Sequence, residues 1–431
     1  MNHVKNVLMI AYHYPPEGSS SGVLRTLKFS KYLLAHGWSP HVLTLRESFY
    51  DQRDNGLLRD IPPGVVVHRT FAMDTSRHLA VRGHYPAVLA VPDRVVSWLP
   101  FGVAQGLRVI RQERISALYS TSPLPTAHLI AAALRTRTRV PWVADFRDPW
   151  VEDGLYPRPG TLRFRVESAL ERLVVRRADR IVATTPLLRQ EFLARYPELP
   201  AGKIRVIYNG YDEADFHNLH VPGRTDLFEL LHAGMVTPDY RDPLPLLRAL
   251  SGLIGEGRLP QERIRLTFLG GGGWVGSPRF ADEVKGLGLE GVVQVVPRIP
   301  HGEVIPRLAR AASLLILQAS DDTKALIPAK VFEYLRVGRP ILALVFEGAT
   351  SDILRGMDHC HMVTPEDQVA LQRTLLALYT AWSKSPTHPS ISHPIQQYER
   401  KYLTSELARL LDEVSETSPH ALAQQVPGLV R

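Results

Sequence analysis

Short apolar runs alternate with amphipathic stretches twice along this chain, and that double alternation constrains the fold more than any single residue does. Val7–Ala11, His41–Leu45, Val65–Arg69, Ala117–Ser120, Trp142–Asp145, Arg180–Thr184 and Ile204–Tyr208 read as strands. Gly22–His36 places apolar residues at Val23, Leu27, Tyr32, Leu33 and Leu34 and stops at Gly37, which predicts a helix. Further helices are expected over 126–134 and 162–178. This succession builds a parallel, doubly wound α/β sheet. After a turn-rich stretch, 209–225, the pattern restarts with Phe228–His232, Arg265–Leu269, Val292–Val296, Leu314–Leu317 and Ile341–Val345, with helices near 243–253 and 304–312. Single cores stop growing at roughly 250–300 residues. A chain of 431 residues is therefore expected to form two such domains, 1–225 and 226–390, with a helix over 391–415 and a flexible tail, 416–431. Tyr398, Tyr402, Leu407, Leu410 and Leu411 mark the face of that last helix.

Composition excludes more than it selects. With 45% hydrophobic and 22% charged residues the chain is ordinary for a globular protein, so disorder is not the default. A net charge of +8 favours anionic partners, a description that nucleic acid, acidic lipid and a nucleotide diphosphate all meet. No recognised nucleic-acid module accompanies the charge, so nucleic acid is not the expected partner. Cys360 is the only cysteine, which rules out an internal disulfide and a Cys-cluster zinc site and agrees with a reducing, cytoplasmic compartment. The first apolar run is too short for a signal-peptide core. The longest apolar region, 85–103, is interrupted by Asp93, Arg94 and prolines, short of the roughly 18 residues needed to span a bilayer.

Five constellations carry chemistry. Pro15 to Gly22, with Gly18, Ser19, Ser20, Ser21 and Gly22, leaves the first strand and opens the first helix, so its free N–H groups can hold an oxyanion or a sugar hydroxyl, or it is an ordinary turn. It lacks the glycine spacing of a dinucleotide site and the Gly-Lys-Thr/Ser ending of a P-loop. Asp145, Arg147 and Asp148 follow a strand directly, where α/β sheets present ligand-facing side chains; the alternative is a structural Asp-Arg pair. Ser122 and His128, beyond the preceding strand, line the same cleft or face a helix. Ala178 to Thr185 and then Val206 to Phe216 contain a strong turn at Asn209-Gly210. Lys330 to Pro340 puts Glu333 on a short helix after a loop carrying Asp321, Asp322 and Lys324, with Arg336 three residues on as its alternative partner. Finally, Arg163, Arg165, Arg172, Arg176 and Arg177 share one helix with Phe164, Leu170, Leu173 and Val174, either as a solvated face or as a surface for anionic lipid.

The order of these parts, from the first strand to the last helix, resembles the family 4 glycosyltransferases, whose fold is GT-B: two Rossmann-like domains facing a central cleft, with a C-terminal helix crossing back to the first. The resemblance implies a retaining, metal-independent transfer of a hexose or related sugar from a nucleotide diphosphate sugar to a glycan or lipid-linked acceptor, in cell-surface polysaccharide biosynthesis at the inner face of the membrane. It implies no cofactor besides the donor substrate. Glu333 matches the second glutamate of the family's donor motif and would hold the ribose, while Ala325 stands where the first is expected. Gly271 and Gly272 match the nucleotide-side glycine loop, where a side chain would block the ligand; Arg298 and Pro328 flank the same region. The family's Gly-Arg-x-x-x-x-Lys segment is here Gly234 to Arg241, with Met235 in the arginine position. Arg241 with Lys324 or Lys330 would then oppose the charge that develops on the departing diphosphate.

Two other classes stay open, the first sharing the GT-B fold but not the Asn209-Gly210 and Lys330 to Pro340 segments. A UDP-sugar 2-epimerase of GT-B fold would need no acceptor. An inactive sugar-nucleotide-binding subunit would explain Ala325 and Met235. No Asp-x-Asp motif stands in the acidic loop, since Asp321 and Asp322 are adjacent.

Overall fold

A computed structural model of the protein describes residues 4–20, 22–80, 82, 84–151, 159–217, 219, 226–318, 320–384 and 394–416. The chain forms two compact units, Met1–Asn209 with Arg400–Arg431, and Gly210–Glu399. The division falls at Asn209–Gly210, ahead of the anticipated 225. Its physical cause lies in the turn-rich stretch itself. In the first unit Arg25 donates to the carbonyls of Ile207 and Tyr208, at 3.0 and 2.7 Å. In the second, Arg336 forks onto Glu213 and lies 4.9 Å from the Phe216 ring centre. Each half of the stretch belongs to its own unit.

The first unit holds seven parallel strands: β1 (Lys5–Ile10), β2 (Trp38–Leu45), β3 (Val66–Thr70), β4 (Ile115–Thr121), β5 (Trp142–Phe146), β6 (Arg180–Ala183) and β7 (Ile204–Val206). Their order is β3-β2-β1-β4-β5-β6-β7, so the direction of winding reverses between β1 and β4. The second unit holds six: β8 (Phe228–Ala233), β9 (Ile264–Leu269), β10 (Val293–Val296), β11 (Ser313–Gln318), β12 (Ile341–Val345) and β13 (Cys360–Val363), in the order β10-β9-β8-β11-β12-β13, reversing between β8 and β11. In open α/β sheets a ligand crevice forms outside the carboxyl ends of the strands at such a reversal. Both sheets are Rossmann-like and the fold class is GT-B, as the alternation predicts.

Burial on both faces explains why the central strands read as continuous apolar runs. Leu314 to Leu317 and Ile341 to Leu344 are each at most 1% exposed. The helix Arg400–Glu416 belongs to the first unit, where Leu403, Leu407, Leu410 and Leu411 join the core that contains Leu27 and Phe29. Lys5 reaches Asp412 at 2.9 Å beside it. Tyr402 is on the opposite, exposed face, and Tyr398 precedes the helix in a short 3-10 turn, so neither belongs to the buried stripe assigned from sequence. The strand β13 escaped the pattern because Cys360, His361 and Met362 at the sheet's edge make no apolar run. The tail expected over 416–431 lies, beyond Glu416, outside the described residues.

Candidate functional site

The residues singled out in the first unit gather where β1, β4 and β5 end, and the structure separates those that hold the fold from those that face outward. Asp145, the penultimate residue of β5, is completely buried. Arg25 forks onto it, with Nη2 2.7 Å from Oδ1 and Nε 2.9 Å from Oδ2, and the hydroxyls of Tyr119 and Thr121 donate to Oδ2 at 2.6 and 2.7 Å. Burial works against both charges, yet the pairing keeps the Asp145 carboxyl below, and the Arg25 guanidinium above, their ordinary ranges. A carboxylate with four donors has no capacity left for a sugar. Asp145 is thus corrected from a site candidate to a structural anchor, with Arg25 rather than Arg147 as its partner. Arg25 was missed in the sequence; its signal is a charge on the inward face of a helix, between Leu24 and Leu27.

His128 is corrected too, on its burial and packing. It is fully buried, its Nδ1 is 2.8 Å from the Ser120 hydroxyl, and its ring stacks on Phe146 at 4.6 Å. Burial pushes its pKa down to about 4, so it is a neutral core histidine. Ser122 is buried and accepts from the backbone N–H of Arg147 at 2.7 Å, which fixes the start of the loop after β5.

The loop after β1 departs from expectation in a similar way. Its N–H groups are not free: Gly18 donates to the Gln52 carbonyl, Ser19 to the Glu17 carboxylate and Gly22 to the Ser20 hydroxyl, at 2.9, 2.7 and 3.0 Å. Ser21 lies outside the described residues. Glu17, itself 1% exposed, also accepts from the Ser19 hydroxyl and from His13 Nδ1 at 2.7 Å. These donors hold the Glu17 carboxyl below its usual range despite burial, and burial keeps His13 below its own. With Nδ1–H given to an ionised carboxylate, His13 presents Nε2 as an acceptor. Close approach demands glycine at Gly18, where a Cβ would lie 2.8 Å from the Asp54 backbone N; a Cβ at Gly22 would lie 2.2 Å from Arg147 Nη2, the movable end of a long side chain. Arg147 donates to the Gly22 carbonyl at 3.0 Å, and it and Asp148 remain part-exposed. Burial drives Asp148 up and Arg147 down, each opposed by the other's charge.

The second unit brings together a different set, at the reversal between β8 and β11. His232, near the end of β8, is wholly buried and its Nδ1 is 2.9 Å from the Leu315 carbonyl on β11. That carbonyl can only accept, so Nδ1 carries the proton and Nε2 accepts from the Lys330 ammonium at 3.0 Å. Lys330 opens the helix Lys330–Val337. Desolvation first, and then the positive charge of Arg241, drive its pKa well below the ordinary value; Glu333 one turn on pulls the other way. His232 is likewise held well below its ordinary value, by burial and by Lys330. Gly234 has φ +112°, and a Cβ there would sit 2.8 Å from Lys330 Nζ, so this glycine serves both the backbone and the lysine. The tight strand end is closed by Val236 N–H donating to the Gly271 carbonyl at 2.7 Å.

Of the remaining candidates, Arg241 is part-buried and donates to the Met235 carbonyl at 3.2 Å. Gly270 and Gly272 have φ of +69° and +84°, and a Cβ on Gly272 would press on the Met235 side chain at 3.2 Å. Gly271 could not carry a Cβ either, which would meet Val275 at 2.5 Å. Pro328 accepts from the Val331 N–H at 2.9 Å and starts the turn into the helix. Arg298 is exposed beside Gly270. Lys324 is exposed, and its carbonyl is tied to Ala349 N–H at 2.7 Å, so no observation joins its ammonium to the Lys330 cluster. Ala325 is fully buried. His232 was missed in the sequence; a histidine ending the apolar run Phe228 to Leu231 was the signal. Among the described residues no group of three His, Cys, Asp or Glu side chains is placed to hold a metal, and no helix is long and apolar enough to cross a membrane.

Comparison with known proteins agrees with this layout. Residues 23–210 match the family described as Glycosyl transferase 4-like domain. A D-inositol 3-phosphate glycosyltransferase of Kineococcus radiotolerans is 30% identical over 197 residues, 43% of each chain, so the match spans less than half the length of that relative. Among solved structures, sucrose-phosphate synthase of Thermosynechococcus elongatus superposes with a TM-score of 0.68 at 15% identity, covering 96% of this chain and 100% of the other. Anabaena HepE in complex with UDP-glucose gives 0.64 at 17%, covering 95% and 99%. At those identities the structures speak for the fold alone. Residues 23–210 thus resemble a glycosyl transferase 4-like domain, in a chain whose fold is GT-B.

Proposed function

We propose that the protein transfers a sugar, with retention of anomeric configuration, from a nucleotide diphosphate sugar to a glycan or lipid-linked acceptor in the making of a cell-surface polysaccharide. One observation carries the donor half of this reading. At the winding reversal of the second sheet, an ammonium is held by a neutral histidine under a glycine that leaves it room, with a second cation nearby and no carboxylate hydrogen-bonded to it among the described residues. A partly desolvated cation of this kind is poised for an anion, and the anion that the match to a glycosyl transferase 4-like domain suggests is a diphosphate. Lys330 and Arg241 oppose its charge as the glycosidic bond breaks, in place of a divalent ion, and Glu333 holds the ribose. Gly271 and Gly272 let the nucleotide approach the backbone. His13, Arg147 and Asp148 are the groups of the first unit offered to the acceptor side.

The UDP-glucose complex of HepE makes UDP-sugars the first donors to try. For the acceptor, support comes from the helix Leu162–Arg177, where Leu162 is 77% and Val166 39% exposed beside exposed Arg163 and Arg165. Such a surface suits contact with anionic lipid at the cytoplasmic face. The decisive experiment incubates the chain with UDP-, GDP- and dTDP-sugars and a panel of lipid-linked acceptors and follows release of the nucleoside diphosphate. Release that depends on acceptor, and is lost in Glu333→Ala, supports transfer. Release without acceptor points to the epimerase class. Binding without release under any condition favours a sugar-nucleotide-binding subunit, the reading to which Ala325 lends weight.

A further inference from the structure

The first unit has a second concentration of positive charge, at the amino edge of its sheet and therefore at the end opposite Ser122, Arg147 and Asp148. There the helices Trp98–Gln112 and Pro125–Thr138 both finish and β4 begins at Ile115. Between them is a cavity of about 550 Å³ with an apolar floor of Leu107, Ile110 and Ile115 and a rim of Arg111, Arg114 and Arg137. That volume falls among those of small-molecule sites. We propose that this cavity binds a phosphate-bearing ligand with an apolar portion.

Helix ends account for part of the rim. Arg111 and Arg137 lie in the last turns of their helices, where the backbone dipole favours cations. Two helix C-termini contribute only about −1 charge in total. Three guanidinium groups exceed that by about two positive charges, the amount a phosphate monoester carries with opposite sign. No salt bridge joins Arg111, Arg114 or Arg137 to a carboxylate among the described residues. Glu113, the nearest acid in sequence, is not part of the lining; its field acts on His41 and His68 instead.

Arg114 differs from the other two rim arginines in its backbone. It sits outside the helix at φ +48°, and Arg139, just past the second helix, sits at φ +61°. Glycine is the residue those backbone conformations favour. Arg114, unlike Arg139, lines the cavity, and a planar guanidinium there can recognise phosphate oxygens in pairs.

The substitution Arg114→Gly separates use from architecture, because it relieves the backbone while removing the cation. The full chain with Arg241→Gln and Lys330→Met, which silences the diphosphate site proposed in the second unit, is titrated with inorganic pyrophosphate at fixed ionic strength. Pyrophosphate should still bind, and adding Arg114→Gly should weaken it about tenfold while leaving the ligand-free melting temperature equal or higher. Two further arms identify the source of the phosphate. Vesicles of phosphatidylglycerol that bind the chain and displace pyrophosphate, where phosphatidylcholine vesicles do not, support a lipid headgroup; pyrophosphate binding without vesicle binding supports a soluble phosphate ester. Absence of binding to both probes, or binding indifferent to Arg114→Gly, overturns the proposal. Failure here leaves the donor-site reading intact, since that site has already been removed from the assay.

Discussion

Two desolvated cations, the buried Arg25 in the first unit and the part-buried Lys330 in the second, stand beside the reversal points of their sheets, and they have opposite fates. Arg25 is enclosed by acceptors: both oxygens of Asp145, the carbonyls of Ile207 and Tyr208, and Asn209 Oδ1 at 3.4 Å. Lys330 has a neutral histidine for its hydrogen-bond partner and a second cation nearby. Desolvation acts on both, but only in the first case do fixed charges overcome it. A completed pair is a strut, and an incomplete one is a place for a ligand. The difference teaches that a charged residue at a strand end is not a site by position alone; what counts is whether the protein has already satisfied it.

The largest test of this contrast removes the completed pair. Asp145→Ala leaves Arg25 buried without its counter-charge and should cost about 3–5 kcal/mol in urea unfolding. A loss below 1 kcal/mol, by about the measure of an exposed pair, would place Asp145 among functional groups after all. Next in size is the pH dependence from the same unit. Between pH 6.5 and about 4 the unfolded chain takes up a proton that folded His128 refuses, so its contribution is complete above 6.5 and is lost as pH falls toward 4. That amounts to about 3 kcal/mol. His128→Leu should flatten the stability curve by that amount, and an unchanged slope between the two proteins would contradict a neutral core histidine. Third is Gly234→Ala, which forces a side chain to φ +112° and crowds Lys330 Nζ. It should cost about 2 kcal/mol and displace the lysine as well. The smallest effect on folding belongs to the incomplete pair: Lys330→Met should leave stability unchanged or raise it by about 1 kcal/mol, since a desolvated cation is replaced by an apolar stem.

The same contrast explains what the sequence could and could not disclose. Strand positions were legible because β4, β5, β8, β11 and β12 are buried on both faces, which forces continuous apolar runs whatever the rest of the chain does. Glu333 and Lys330 were legible as site candidates because they open a helix directly after a strand and loop. Satisfaction was not legible. Nothing near Asp145 in sequence points to Arg25, 120 residues earlier, and nothing near Lys330 points to His232, 98 residues earlier. The loop from Pro15 to Gly22 misled for the same reason: its composition suggested open N–H groups, whereas Glu17 and Gln52 consume them. Long-range hydrogen bonding decides which polar residues are available, and that information is carried by topology rather than by local pattern.

The claim that Lys330 is kept incomplete for a diphosphate is tested most directly by differential thermal stability. The chain and its Lys330→Met variant are compared against UDP-, GDP- and dTDP-sugars at about 100 times the dissociation constant found for the unmodified chain, where a bound ligand adds about 2.7 kcal/mol. One nucleotide class should raise the melting temperature of the unmodified chain, while the variant, equally or more stable without ligand, should show almost none of that rise. Equal rises in the two proteins would contradict the assignment.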